Sequence, residues 1–142
     1  MNTGKQGCEF QFPWRCPDCG ADSEAQLREI PLGTERLVHR STSYLCPKCD
    51  VRTISDDWGI AEEELRQLLI GACGLWQTRL TSTGYIKQAV LKLKPVLGWE
   101  QAQAAKALKT CVMHSGTKAE CEAVVKFLQD AGLQSEACRI GP

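Results

Sequence analysis

The sequence predicts an α+β fold in three parts: a β-rich head over residues 1–56, a connecting helix over 57–74 and a β-α-α-β-α-β domain over 75–142. Three observations carry this. Two CxxC knuckles, Cys16-Pro17-Asp18-Cys19 and Cys46-Pro47-Lys48-Cys49, flank a stretch rich in β-forming residues. A run of apolar residues at helical spacing follows the second knuckle. Beyond Leu75, strand-like runs alternate with helical stripes, bounded by glycine, proline or capping residues.

In the head, Phe10, Phe12 and Trp14 alternate with polar residues, as a short strand requires. Leu27 and Ile30 belong to a second strand that stops at Pro31-Leu32-Gly33. Residues 37–45 are β-rich and run into the second knuckle; residues 51–54 leave it. One CxxC supplies two thiolates from a single tight turn, and two such turns on facing hairpins close a four-cysteine cage, the ligand set of a structural Zn²⁺. Cys16, Cys19, Cys46 and Cys49 are the expected ligands of one structural zinc ion, and the head reads as a zinc ribbon. An iron–sulfur cluster draws on the same ligand type. A single CxxC would suit a redox dithiol, whereas two at this spacing do not. A filled four-cysteine cage has no open coordination position, which argues for a binding module over an enzyme. The head holds few large apolar residues, so the metal must supply the missing free energy, on the order of 10 kcal/mol.

Residues 55–73 read as a helix. Ser55, Asp56 and Asp57 offer N-cap oxygens, Glu62, Glu63 and Glu64 place negative charge in the first turns, and Gly71 and Gly74 end it. Ile60, Ala61, Leu65, Leu68, Leu69 and Ala72 form its apolar stripe, which must dock on a neighbour. Residues 75–80 then read as a strand. A helix from Tyr85 follows, with Ile86, Val90, Leu93 and Leu97 on one face and Pro95 and Gly98 at its end. A second helix starts near Trp99-Glu100 and is alanine-rich, and residues 111–113 form a short strand. Thr117 and Glu120 make a capping box for a helix whose Cys121, Val124, Val125 and Leu128 face inward. Gly132 ends it in the left-handed conformation, and residues 133–140 form the last strand.

Net charge is zero. Residues 1–56 carry seven Lys/Arg against eight Asp/Glu, and residues 81–142 eight against five. A nucleic-acid groove needs a much larger positive excess, so charge speaks against nucleic acid as the main partner. Arg28, Arg36, Arg40 and Arg52 could still touch phosphates, which keeps a zinc-ribbon nucleic-acid-binding regulator as the alternative reading. Interleaved Glu29, Glu35 and Asp50 favour ordinary cross-strand pairing instead. The polar N-terminus has no export signal and no run is long enough to span a membrane, so a cytoplasmic protein with no membrane partner is expected. The nine cysteines then read as metal ligands plus thiols in a reducing compartment: Cys8 free, and Cys73, Cys111, Cys121 and Cys138 small core residues. His39 reads as an exposed strand residue and His114 as a surface residue, and no catalytic constellation is evident.

Residues 75–140 carry a series of short motifs: Ile86-Lys87, Leu97-Gly98-Trp99, Gln101-Ala102, Gly116-Thr117-Lys118, Cys121-Glu122 and Leu128-Gln129-Asp130-Ala131-Gly132. In order and spacing they resemble the C-terminal domain of the bacterial ribosomal large-subunit stalk protein. In that family the first helix pair presents lysines and apolar side chains to translational GTPases. The resemblance implies partner-binding residues at Lys87, Lys92, Gly98 and Trp99, and a partner that is a translational GTPase or a ribosome component. The family's Glu-Ala-Lys is replaced by Gln101-Ala102-Gln103, Pro95 is foreign to its helix, and a zinc ribbon stands in place of the family's oligomerisation region.

On the residues alone, Lys87, Lys92, Lys94, Lys106 and Lys109 form either a docking face or a solvated helix surface. Trp99 is either a core plug or an exposed hot spot. The expected function is that of a non-enzymatic, zinc-containing adaptor that docks protein partners through its stalk-like domain.

Overall fold

The computed structural model describes residues 6–141; residues 1–5, which bear the polar N-terminus, and residue 142 lie outside the described residues. Strands β1 (Cys8–Arg15), β2 (Asp22–Pro31), β3 (Val38–Leu45) and β4 (Arg52–Trp58) form an antiparallel meander in sequential order. Helix α1 (Glu63–Cys73) follows. Then come β5 (Leu75–Leu80), a short 3₁₀ turn, α2 (Ile86–Leu97), α3 (Gln101–Thr110), β6 (Val112–Gly116), α4 (Lys118–Asp130) and β7 (Ser135–Gly141). The last three strands make a second antiparallel sheet in the order β6-β5-β7. The fold is mixed α+β with antiparallel sheets.

The first sheet follows the two-residue alternation of its sequence. Ala25, Leu27 and Glu29 of β2 and Val38, Arg40 and Thr42 of β3 point to the buried face. Pro13 lies on the edge strand β1, where a missing N–H is tolerated. Near the knuckles the same face is aromatic: Tyr44 lies 5.3 Å from Trp14 and 6.3 Å, edge-on, from Phe12. Helix α1, through Leu65 and Leu69, and Ala61 just before it cover β1, with Cys8, Leu27, Phe10 and Phe12 beneath.

The sequence reading of a helix over 55–73 is corrected here. Residues 52–58 pair with β3 in full register, Ser55 opposite Thr42 and Asp57 opposite Arg40, so the expected N-cap residues lie in a strand. The helix begins only at Glu63, with Glu62 at its N-cap. Pairing with a waiting strand outweighs the local capping preference of serine and aspartate. The apolar stripe is also narrower than expected, since Ile60 and Leu68 are exposed.

Helix α4 is the hub of the molecule and touches β2, β3, β5, β6 and β7. Its Ala119, Cys121, Ala123, Val124 and Leu128 are buried. One apolar cluster joins Ala119, Ala123, Val124 and Leu128 to Leu93, Met113 and Leu133, and also to Leu37 and Val38 from the head. Cys121 is thus the core residue expected, and Gly132 has the left-handed φ of 80°.

Where α4 meets the first sheet the junction is polar. Thr117, the N-cap of α4, accepts the Glu120 N–H at 3.1 Å and donates its hydroxyl to Glu29 at 2.8 Å. Glu29 also accepts from Arg40, its cross-strand partner, at 3.1 Å; Arg40 reaches the Gly59 carbonyl and Asp57 as well. The Glu120 side chain does not fold back to complete the expected capping box. It accepts from Arg66 of α1, through Nε at 2.9 Å and Nη2 at 2.7 Å, and from His114 of β6 at 2.8 Å. A side chain at Gly116 would collide with the Arg66 guanidinium and the Glu120 carboxylate, so glycine is required there. His114 is therefore a half-buried partner of Glu120, correcting its reading as a surface residue.

Two further corrections concern cysteine. Cys8 is not a free thiol, and Cys73 is not a plain core residue: the two form a disulfide joining the start of β1 to the end of α1. Their 65-residue separation gives no local signal of the pairing. Cys111 caps α3 in the left-handed conformation, and it and Cys138 are half-buried.

Burial raises the Glu120 carboxyl, but His114 and Arg66 outweigh it and hold the group at about 2, against an ordinary 4.5. A depressed carboxyl contributes stability above its unfolded value and loses it as pH falls toward the folded one. Wild-type stability should therefore drop between pH 4.5 and 2 more steeply than that of Glu120→Gln, as read from denaturant midpoints. Glu29 runs the other way, because burial pushes its carboxyl up despite Thr117 and Arg40. Arg66→Ala leaves the Glu120 carboxylate buried beside His114 alone and should cost about 3 kcal/mol at pH 7, measured by urea unfolding.

Candidate metal centre

Each knuckle closes the tip of a hairpin, the first between β1 and β2 and the second between β3 and β4. Their backbones repeat one another. The Cys16 N–H donates to Ala21 and the Gly20 N–H to Cys16, at 3.0 and 2.8 Å; the Cys46 N–H donates to Val51 and the Asp50 N–H to Cys46, at 2.9 and 2.8 Å. The closing residue is left-handed in both, with φ 71° at Gly20 and 59° at Asp50. Glycine enters this region freely and aspartate is among the few other residues that tolerate it. Because β2 and β3 pair along most of their length, both tips emerge side by side at one end of the sheet.

There the four thiols converge, each Sγ within 4.8 Å of the others. Cys16 lies 3.5 Å from Cys49, and Cys19 3.4 Å from Cys46. A tetrahedral metal with sulfur ligands at about 2.3 Å needs sulfurs about 3.8 Å apart, so a small adjustment closes the cage. Cys16 and Cys46 are buried and Cys19 and Cys49 exposed, so the site would be anchored from below by one thiol of each knuckle. The cluster can hold a metal ion such as zinc.

Hydrogen bonding and burial set Cys46 apart from Cys19 and Cys49. The Cys49 backbone N–H, outweighing burial, helps draw Cys46 down to about 6, with Cys19, Cys49 and Lys48 assisting. The Val51 N–H pulls Cys49 down, but burial and its neighbours Cys46, Cys16 and Cys19 prevail and push it up to about 12. Adjacent thiolates repel, so without a cation the cluster keeps protons that a metal must displace.

The other residues singled out from sequence lie elsewhere. Lys87 and Lys92 are exposed on α2, and Gly98 is its exposed, left-handed C-cap. Trp99 is half-buried against the apolar core and lines a groove of about 180 Å³ between α3 and β6. Lys106 is exposed on that groove, Lys109 is exposed, and Lys94 holds Gln101 at 3.1 Å. Arg40 makes the cross-strand pair with Glu29 that the interleaved charges favoured, and at only 3% exposed it is no phosphate contact. His39 is half-buried, 3.0 Å from Asp56 and packed on the Trp58 ring. Sequence reasoning missed the Glu29–Thr117 and Arg66–Glu120–His114 contacts, for which the only local signal was Thr117 itself.

The fold and the thiol cluster thus define an α+β protein with a four-cysteine metal-type centre on twin hairpin tips. No protein-family model, curated protein or solved structure matches the chain.

Cys46→Ser removes a buried ligand and should abolish stoichiometric metal binding, measured by elemental analysis of the purified protein. Because Cys49 and Cys19 are held protonated, metal uptake should release protons and weaken as pH falls from 7 to 5, checked by competition with a chromophoric chelator.

Proposed function

We propose that the protein is a non-enzymatic adaptor with one structural zinc ion in its Cys16/Cys19/Cys46/Cys49 cage, and that it docks a protein partner through α2 and the α2–α3 turn. The observation that carries the docking reading is Leu91, 72% exposed in the middle of α2. Lys87 and Lys92 are exposed beside it on the same helix. An apolar residue ringed by cations and held on a rigid helix suits a partner with an acidic rim around an apolar pocket. Lys87, Lys92 and the Gly98-Trp99 turn are also the positions that the resemblance to the ribosomal stalk domain assigns to partner contact. The β-α-α-β-α-β order of residues 75–141 supports that resemblance. On this reading the partner is a translational GTPase or a ribosome component, and the head acts as a metal-stapled platform.

Zinc is favoured over softer or redox metals because four cysteines at tetrahedral spacing on two knuckles form its structural ligand set. The face is tested with purified translational GTPases in a binding titration. Wild type should bind, and Leu91→Asp with Lys87→Glu should weaken binding by about tenfold or more, the scale of a lost hot spot. Trp99 is left intact in this variant because it packs on the core. Binding that is unchanged by the double substitution would overturn the assignment of this face.

A further inference from the structure

A cleft of about 260 Å³ opens beside the Cys8–Cys73 disulfide, which forms part of its wall. It lies at the opposite end of β1 from Cys16, roughly 26 Å away at the rise of an extended strand, and so is separate from the metal-type centre. Arg28 of β2, Lys118 from the first turn of α4 and Arg139 of β7 all line it. Glu9 is the one carboxylate on the lining and accepts from Gln26. Glu122, one turn along from Lys118, accepts the Gly7 N–H at 2.7 Å.

The cations are built in. Lys118 Nζ sits 5.6 Å from the centre of the Trp76 ring. Arg139 donates to the Gly141 carbonyl at 3.0 Å and packs close to Gly74, the residue after Cys73. Gly74 has φ 92°, and any side chain there would collide with the Arg139 guanidinium. The glycine lets the Arg139 guanidinium approach the backbone one residue after Cys73.

We propose that this cleft is a thiol-exchange site for a small acidic thiol of the glutathione class, whose carboxylates the three cations recognise. Paired N–H donors on Arg28 and Arg139 suit carboxylates, and the positive field concentrates the anionic thiol and favours its thiolate. Cys73 is half-buried and Cys8 only 3% exposed, so the incoming thiolate attacks Cys73 Sγ. The Cys8–Cys73 bond breaks, the new bond joins the small thiol to Cys73, and the electron pair leaves on Cys8. The Cys8 sulfur takes a proton from water, and the Leu69 carbonyl 3.9 Å away receives the new S–H. A second thiolate then attacks the mixed disulfide. Two small thiols are thereby oxidised to their disulfide while the protein disulfide is reduced to two thiols. Opening the bond unties the end of α1 from the start of β1. The cleft is smaller than the roughly 300–1,000 Å³ of a drug-sized ligand pocket, which suits a short thiol whose tail stays in solvent.

The test is the rate at which the disulfide opens in the full-length protein, read by alkylation and mass spectrometry. Glutathione, 2-mercaptoethanol and cysteamine, whose attacking thiolates are dianionic, anionic and zwitterionic, are compared at equal thiolate concentration. Glutathione should react roughly tenfold or more faster than cysteamine at low salt, and the gap should close as salt rises. Arg28→Gln with Lys118→Gln should bring glutathione and cysteamine to near parity, slowing glutathione most, mercaptoethanol less and cysteamine least, and the trapped adduct should sit on Cys73. Arg139→Gln provides an independent variant with the same expected direction. Equal rates for the three thiols, a preference that survives loss of the charges, or an adduct on Cys8 would each overturn the proposal.

Discussion

Two buried carboxylates face each other across Thr117, and everything around them is arranged so that neither is left alone. Glu29 is answered by Arg40 and the Thr117 hydroxyl, Glu120 by Arg66 and His114. Removing a carboxylate from water is costly unless its lone pairs are satisfied. Satisfying these two draws groups from β2, β3, α1, β6 and α4 to one point. The apolar core follows the same seam, since Leu37 and Val38 of the head close over residues of α4 and its neighbours. The β-rich head and the C-terminal half therefore meet through specific charge pairing as well as shape.

Much of the fold was legible in the sequence, because its signals are local. Alternation in β1 to β3, the left-handed glycines after α2 and α4, and the Thr117 cap are all consequences of a few neighbouring residues. The four-cysteine cluster was equally legible, since CxxC spacing fixes each knuckle and the hairpin between them sets the tips together. What escaped depends on partners far along the chain. Ser55, Asp56 and Asp57 cap helices well, yet β3 offers an entire ladder and takes them as a strand. The cross-strand pairing of Arg40 with Glu29 was legible from the interleaved charges, but not that helix α4 would bury it. Glu120 and His114 read as capping and surface residues until Arg66, from a different element, closes on the same carboxylate. The Cys8–Cys73 bond has no sequence signature at all.

The head is fastened at both ends by sulfur, but by different chemistry. At one end four thiols converge on hairpin tips, two of them exposed; at the other a disulfide ties β1 to α1 beneath a cationic cleft. Four-cysteine metal-type sites and disulfides draw on the same side chain and normally compete for it. Here the spacing along β1 keeps them apart. The α2 face, with Leu91 exposed between lysines, projects from the C-terminal half and involves neither centre.

The Glu29–Thr117 hydrogen bond also sets a timetable for the chain while it is being made. The two residues are 88 positions apart. At bacterial and eukaryotic elongation rates of about 5–20 residues per second, that interval lasts roughly 5–20 s. For the later part of it, once β3 and β4 are made, the first sheet has Glu29 and Arg40 facing one another, yet without the helix that covers them. Until α4 arrives, the sheet's inner face is open to any other chain nearby. The knuckles, complete by Cys49, are available well before α4 is made, so a metal captured there would hold the hairpins in register for the helix that seals them.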